Sequence, residues 1–117
     1  ALELCEKNKQ PENDNQLIVR IQTYIDEHYG DPSLCLSRIS DLFHISESYF
    51  SFLFKKTVGV NFSTYLEQIR MTQAKHLLET TNIKITDLYV AVGYNNLTSF
   101  RRAFKKKYGV APNAIRE

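Results

Sequence analysis

No apolar run in this chain reaches the roughly 18 residues that a membrane-crossing helix needs. The opening stretch "ALELCEKNKQ" is charged and has no long apolar core, so no signal peptide is expected. An initiating Met is also missing, and the chain reads as a piece of a longer protein or a processed one. Cys5 and Cys35 have neither CxxC spacing nor a partnered histidine pattern, which argues against a disulfide framework or a zinc site. They read as a free thiol in the tail and a small apolar residue at the start of a helix, as suits a reducing cytoplasm. His28, His44 and His76 are dispersed along the chain. There is no His-Cys-Asp set, Gly-rich phosphate loop or carboxylate pair at useful spacing, so an enzyme is not expected and no cofactor is implied.

What is present is an ordinary globular composition, 43% apolar and 24% charged over 117 residues. That length allows one domain or two very small ones. The net charge of +2 is unevenly spread. Residues 1–32 set three basic residues against seven acids, a net of −4. Residues 84–117 set seven basic residues against two acids, a net of +5, and "RRAFKKK" at 101–107 holds five of the seven. Such asymmetry suits an anionic partner for the C-terminal part.

The chain also repeats itself. "FSFLFKKTVGV" at 50–60 returns as "FRRAFKKKYGV" at 100–110, with Phe50, Phe54, Lys55, Lys56, Gly59 and Val60 matched fifty residues later. Internal repeats decide architecture. Ile39 aligns with Leu88 at an offset one residue shorter, which places the extra residue of the second copy in a turn.

Residues 1–12 read as a linker, polar with Pro11 and without periodicity. Leu17, Ile18, Ile21, Tyr24 and Ile25 then recur at helical spacing, up to a stop at Gly30-Asp31-Pro32. A short helix is expected at about 36–43, with Leu36, Ile39, Leu42 and Phe43 inward. After the turn at His44, Ser46 caps a helix of about 47–57 that ends at Gly59. Asn61 caps a long helix of about 62–80 whose apolar stripe is Phe62, Tyr65, Leu66, Ile69, Ala74, Leu77 and Leu78. A short helix near 84–92, a turn at "GYNN", a helix of about 97–108 capped by Asn96, and a last turn of helix complete the chain. Nothing reads as a strand pair. The expected fold is all-α, with about seven helices: a first helix-turn-helix subdomain (13–60), a connecting helix (61–80) and a second helix-turn-helix subdomain (81–117).

On a helical wheel Phe100, Ala103 and Phe104 share one side, and Thr98, Arg102 and Lys105 face away with Arg101 on the flank. In the first copy Phe50, Leu53 and Phe54 are the anchor, and Ser48, Phe52 and Lys55 face away beside Ser51. Each copy thus offers a polar or basic ridge near a helix N-terminus. A helix fits the DNA major groove and reads base edges with its N-terminal turns. Arg pairs bidentately with guanine, at about 1–3 kcal/mol of discrimination. The lysines further along, Lys55 and Lys56 and then Lys105 and Lys106, suit phosphates. Phe52 could cover a thymine methyl or pack on a neighbouring helix. Glu47 could accept from a cytosine amino group or serve as a first-turn acid. Ser46 and Asn96 are caps first and candidate phosphate contacts second. The middle helix spans about 30 Å, close to the ~34 Å turn of B-DNA. One chain could therefore hold two reading helices over successive major grooves.

"VGYNNLTSFRRAFKKKYGVAPNAIR" resembles the signature of AraC/XylS-family bacterial transcription regulators, at Gly93, Tyr94, Phe100, Arg102, Phe104, Lys105, Gly109, Pro112 and Arg116. "LSRISDLFHISESYFSFLFKK" and "YLEQIRMTQAKHLL" extend the likeness over about residues 15–117. The resemblance implies a C-terminal module that binds promoter DNA with both recognition helices. By position, base reading falls on Glu47, Ser48, Ser51 and Phe52, and on Leu97, Thr98, Arg101 and Arg102. It also implies a sensor or receiver domain upstream, with RNA polymerase a possible further partner, action in the cytoplasm at the nucleoid, and no membrane contact. The chain departs from the family at Tyr89, where a small residue is usual and a ring suggests altered packing or exposure. It departs again at Ile115, where the family favours an aromatic. The rival reading is a helical interaction module whose basic face binds an acidic protein. Salt separates the two, since binding to duplex DNA weakens steeply as salt rises.

Overall fold

A computed structural model describes residues 13–116. The expected linker, 1–12, lies outside the described residues. Seven helices follow in order: α1 (Asp14–His28), α2 (Leu36–Leu42), α3 (Glu47–Val58), α4 (Phe62–Thr80), α5 (Ile85–Ala91), α6 (Leu97–Tyr108) and α7 (Pro112–Arg116). The described residues contain no strand. The all-α expectation holds, and the expected helix boundaries fall within a residue of those seen.

Local chemistry sets the ends. Asn13 accepts from the Gln16 amide at 2.8 Å while the Gln16 side chain accepts from the Asn13 amide, a reciprocal cap that starts α1. Asn61 starts α4 by accepting from the Thr64 amide at 2.8 Å. α3 and α6 each stop at a glycine in the left-handed region, Gly59 and Gly109.

Two hydrophobic clusters form, and α4 supplies both. Ile18, Ile21 and Ile25 of α1 meet Ile39, Phe50, Leu53 and Phe54 over Phe62 and Leu66 at the start of α4. Met71, Ala74 and Leu78, further along α4, meet Leu88, Val92, Phe100, Ala103 and Phe104. Each cluster is built around repeated phenylalanines. Phe50 and Phe54 lie 5.7 Å apart, centroid to centroid, and Phe100 and Phe104 lie 6.0 Å apart. Such pairs add about 0.5–1.5 kcal/mol beyond the area they bury. The ring of Tyr29, just past α1, packs against both clusters.

Some expectations need correction. Leu42 was expected inward but is 48% exposed. Successive helical residues turn by about 100°. Leu42 therefore falls to one side of the face that Leu36, Ile39 and Phe43 turn to the core. Met71, missing from the expected stripe of α4, is fully buried. Tyr89 is half-buried against the second cluster rather than exposed, and Ile115 packs there as well. In the first copy Ser40 stands where Tyr89 stands in the second, and it is buried with no hydrogen-bond partner for its hydroxyl.

Candidate nucleic-acid interface

The two turns share one geometry. After α2, the Ile45 amide donates to the Ser40 carbonyl at 3.0 Å and the His44 amide to Asp41 at 3.3 Å. After α5, the Tyr94 amide donates to Tyr89 at 2.9 Å and the Gly93 amide to Val90 at 3.1 Å. Both are Schellman closures around a left-handed residue. The second turn then holds one more residue, Asn95, before its cap. Each following helix starts on a side-chain cap: Ser46 accepts from the Tyr49 amide at 3.1 Å, and Asn96 accepts from the Ser99 amide at 2.7 Å. The hydroxyl of Ser46 and the amide oxygen of Asn96 are therefore already engaged.

α3 buries Phe50, Leu53 and Phe54, and α6 buries Phe100, Ala103 and Phe104. The opposite faces are open. Glu47, Ser48, Ser51, Phe52, Lys55 and Lys56 are exposed on α3, and Thr98, Arg101, Arg102, Lys105 and Lys106 are exposed on α6. Leu97 differs, being half-buried against the second cluster. Among the described residues neither Arg101 nor Arg102 makes an ion pair. Phe52 is 62% exposed, and the Lys56 ammonium lies 5.7 Å from its ring centroid. It does not pack on a neighbouring helix, which leaves a broad apolar face with a cation beside it. Lys106 lines a shallow groove with Thr64, Glu67 and Gln68 of α4, and Lys56 lines one with Asn13, Asp14 and Asn15 at the start of α1. Lys55 and Lys56, and Lys105 to Lys107, fill the last turns of their helices, where positive charge also complements the helix dipole.

Other residues brace these helices. The Tyr49 hydroxyl donates to Asp14 Oδ1 at 2.6 Å, tying α3 to the start of α1, and this bond pushes the phenol's pKa up. The Tyr108 hydroxyl at the end of α6 donates to the Met71 carbonyl at 3.2 Å. Arg70, in the middle of α4, donates from Nε to the Tyr29 carbonyl at 2.8 Å and from Nη2 to the Asp31 carbonyl at 3.0 Å. Its guanidinium carbon lies 5.6 Å from the centre of the Tyr94 ring. Burial pulls its pKa down, and the nearby Tyr94 and Asp31 oppose the shift. The backbones close in at the same place. A Cβ added to Gly93 would sit 2.5 Å from the Tyr29 carbonyl oxygen, and one added to Gly30 would sit 2.9 Å from that of Ala91. Sequence reasoning assigned no role to Tyr49 or Arg70. The available signal for Arg70 was a charge four residues from Leu66 and from Ala74, on the buried side of α4.

No helix among the described residues is long and apolar enough to cross a membrane. A family model described as a helix-turn-helix domain matches residues 39–117. The arabinose operon regulatory protein of Escherichia coli is 30% identical over 115 residues, 98% of this chain and 39% of that protein. The C-terminal domain of the two-component response regulator yesN from Fusobacterium nucleatum superposes with a TM-score of 0.83 at 39% identity, covering 91% of this chain and all of that one. The DNA-binding domain of AdpA, solved in complex with a target DNA, superposes with a TM-score of 0.80 at 21% identity, over 85% of this chain and 88% of that one; this likeness is one of fold. The chain spans between 12% and 53% of the length of curated relatives such as these.

Proposed function

The chain belongs to the AraC-type helix-turn-helix family, and on that premise we propose that it is the sequence-specific, double-stranded-DNA-binding module of a bacterial transcription regulator. The observation that carries the reading is the pair of open ridges on α3 and α6. Each starts on a capped N-terminus, ends in lysines and stands on a helix-turn-helix of the same geometry.

In this reading α3 and α6 enter successive major grooves on one face of the duplex. α4, 19 residues long, spans about 28 Å at 1.5 Å per residue, close to the ~34 Å of one B-DNA turn. Arg101 and Arg102 make the strongest base contacts, with Thr98 beside them. Glu47, Ser48, Ser51 and Phe52 read from α3. Leu97, half-buried, adds at most an apolar edge. Lys55, Lys56, Lys105 and Lys106 hold phosphates, and so do the first-turn amides of α3 and α6 that the Ser46 and Asn96 caps do not engage. The likeness to a response regulator's C-terminal domain supports a sensor or receiver domain upstream. A module of this kind works at promoter DNA in the cytoplasm, beside RNA polymerase.

The test is selection of duplexes from a randomised library with this chain at moderate salt. Two enriched blocks centred about one helical turn apart are expected. The reading fails if the chain captures no duplex but binds acidic protein. One block would confine sequence reading to a single helix.

A further inference from the structure

Each half of the molecule packs on its own stretch of α4, so α4 alone would let the halves tilt about their shared axis. The second connection is the strip where the loop after α1 meets the turn after α5. There the backbone at Gly30 and Gly93 leaves no room for a Cβ. Arg70 stands between them. Its fork takes two carbonyls of the first half, Tyr29 and Asp31, while its plane lies near Tyr94 of the second. A Lys could not reproduce this, because its ammonium is a point charge without a planar fork. An apolar residue would avoid desolvating a charge there, so stability alone is a weak reason for Arg.

We propose that Arg70 is a positioning residue: it locks the two helix-turn-helix halves at one relative orientation, so that the chain accepts a single spacing between its two DNA half-sites. The proposal rests on the reading in which both α3 and α6 enter DNA. Each base pair added between half-sites rotates the second by about 35° and shifts it by about 3.4 Å. A rigid chain rejects that change, and a loosened one absorbs it by tilting.

The experiment compares wild type with Arg70→Met on duplexes carrying the selected half-sites, with the spacer lengthened or shortened one base pair at a time. Circular dichroism first establishes that the variant is folded. Wild type should lose about tenfold or more in affinity at every altered spacer. The variant should bind less tightly at the best spacer, yet vary by only about threefold across the set, as expected when effective concentration is spread over more geometries. An equal loss at every spacer, with an unchanged profile, would make Arg70 merely structural and overturn the proposal. Should Arg70→Met not fold, Arg70→Lys and Tyr94→Leu make the same comparison.

A second measurement does not depend on DNA. Spin labels at Thr57 of α3 and Ser99 of α6, with Cys5 and Cys35 replaced by Ser, report the distance between the two halves. The distribution should be narrow with Arg70 and broad with Arg70→Met. Equal widths would overturn the locking role. If wild-type chains ignore spacing while the labels still show Arg70-dependent narrowing, the two-helix DNA reading has failed and the lock stands.

Discussion

His44 and Gly93 hold the same place in the two turns, and both are left-handed, at φ +59° and +95°. Only one of them is a glycine. A left-handed conformation costs an ordinary L-residue roughly 1–2 kcal/mol, and a helix C-terminus closed this way usually uses glycine. His44→Gly should therefore raise stability by up to about 1 kcal/mol, after the extra entropy of an unfolded glycine is counted. Gly93→Ala should cost about 2–4 kcal/mol, because backbone strain is joined by a Cβ driven into the Tyr29 carbonyl. Gly59→Ala is the control. It is also left-handed, but nothing lies within 4 Å of the added Cβ. Urea unfolding of the three variants checks the order.

Ser40 is 2% exposed, and its hydroxyl has no partner. A buried polar group left unpaired costs about 1–3 kcal/mol. Ser40→Ala should stabilise the fold by about 1 kcal/mol. A loss of stability would mean that an ordered water satisfies the hydroxyl.

The open ridges make distinct predictions for affinity. Arg102→Ala should cost about 1–3 kcal/mol and relax preference at one base pair, whereas Lys105→Ala should weaken all sequences alike and lower the salt slope by about one. Phe52→Ala should leave stability within about 0.5 kcal/mol of wild type, as for an exposed surface position, while altering preference at an A·T pair whose thymine methyl the ring covers. Binding titrations on single-substitution duplexes at several salt concentrations separate these roles. An Arg102→Ala loss that is equal on all sequences would reassign that side chain to the phosphates.

Four tyrosines have raised pKa values. Burial is the leading cause at Tyr65, Tyr94 and Tyr108, and the bond to Asp14 is the leading cause at Tyr49. A raised folded value favours the protonated phenol. The stabilisation is thus complete at neutral pH and is lost as pH climbs past the ordinary tyrosine range and through the raised values. Unfolding free energy should fall on the alkaline side, and Tyr94→Phe should flatten part of that fall. A fall of unchanged depth in Tyr94→Phe would show that Tyr94 contributes nothing to it.

Much of this architecture is written in local pattern. Phe50 and Phe54, and again Phe100 and Phe104, announce a buried face at helical spacing, and Ser46, Asn61 and Asn96 announce where helices begin. The same spacing turns Arg102 and Phe52 outward, so the ridges were legible as well. Leu42 was misread because a seven-residue helix offers too few turns to tell its face from its flank. Met71 was missed because the apolar stripe of α4 changes partner halfway, from the first cluster to the second. Arg70 and His44 were legible as residues but not as roles. A guanidinium that bonds the carbonyls of another segment, or a left-handed residue that is not glycine, obeys no periodicity. Both follow from where distant backbone arrives.

Tyr29 has a further consequence. Half-buried, it packs against both clusters, so the melting of either half strips apolar cover from the other. Subunits joined only by a helix would come apart in steps, each with its own opening free energy. Here the loss of one half is transmitted to its neighbour, and heat or denaturant should meet a single cooperative transition, with the calorimetric and van't Hoff enthalpies equal.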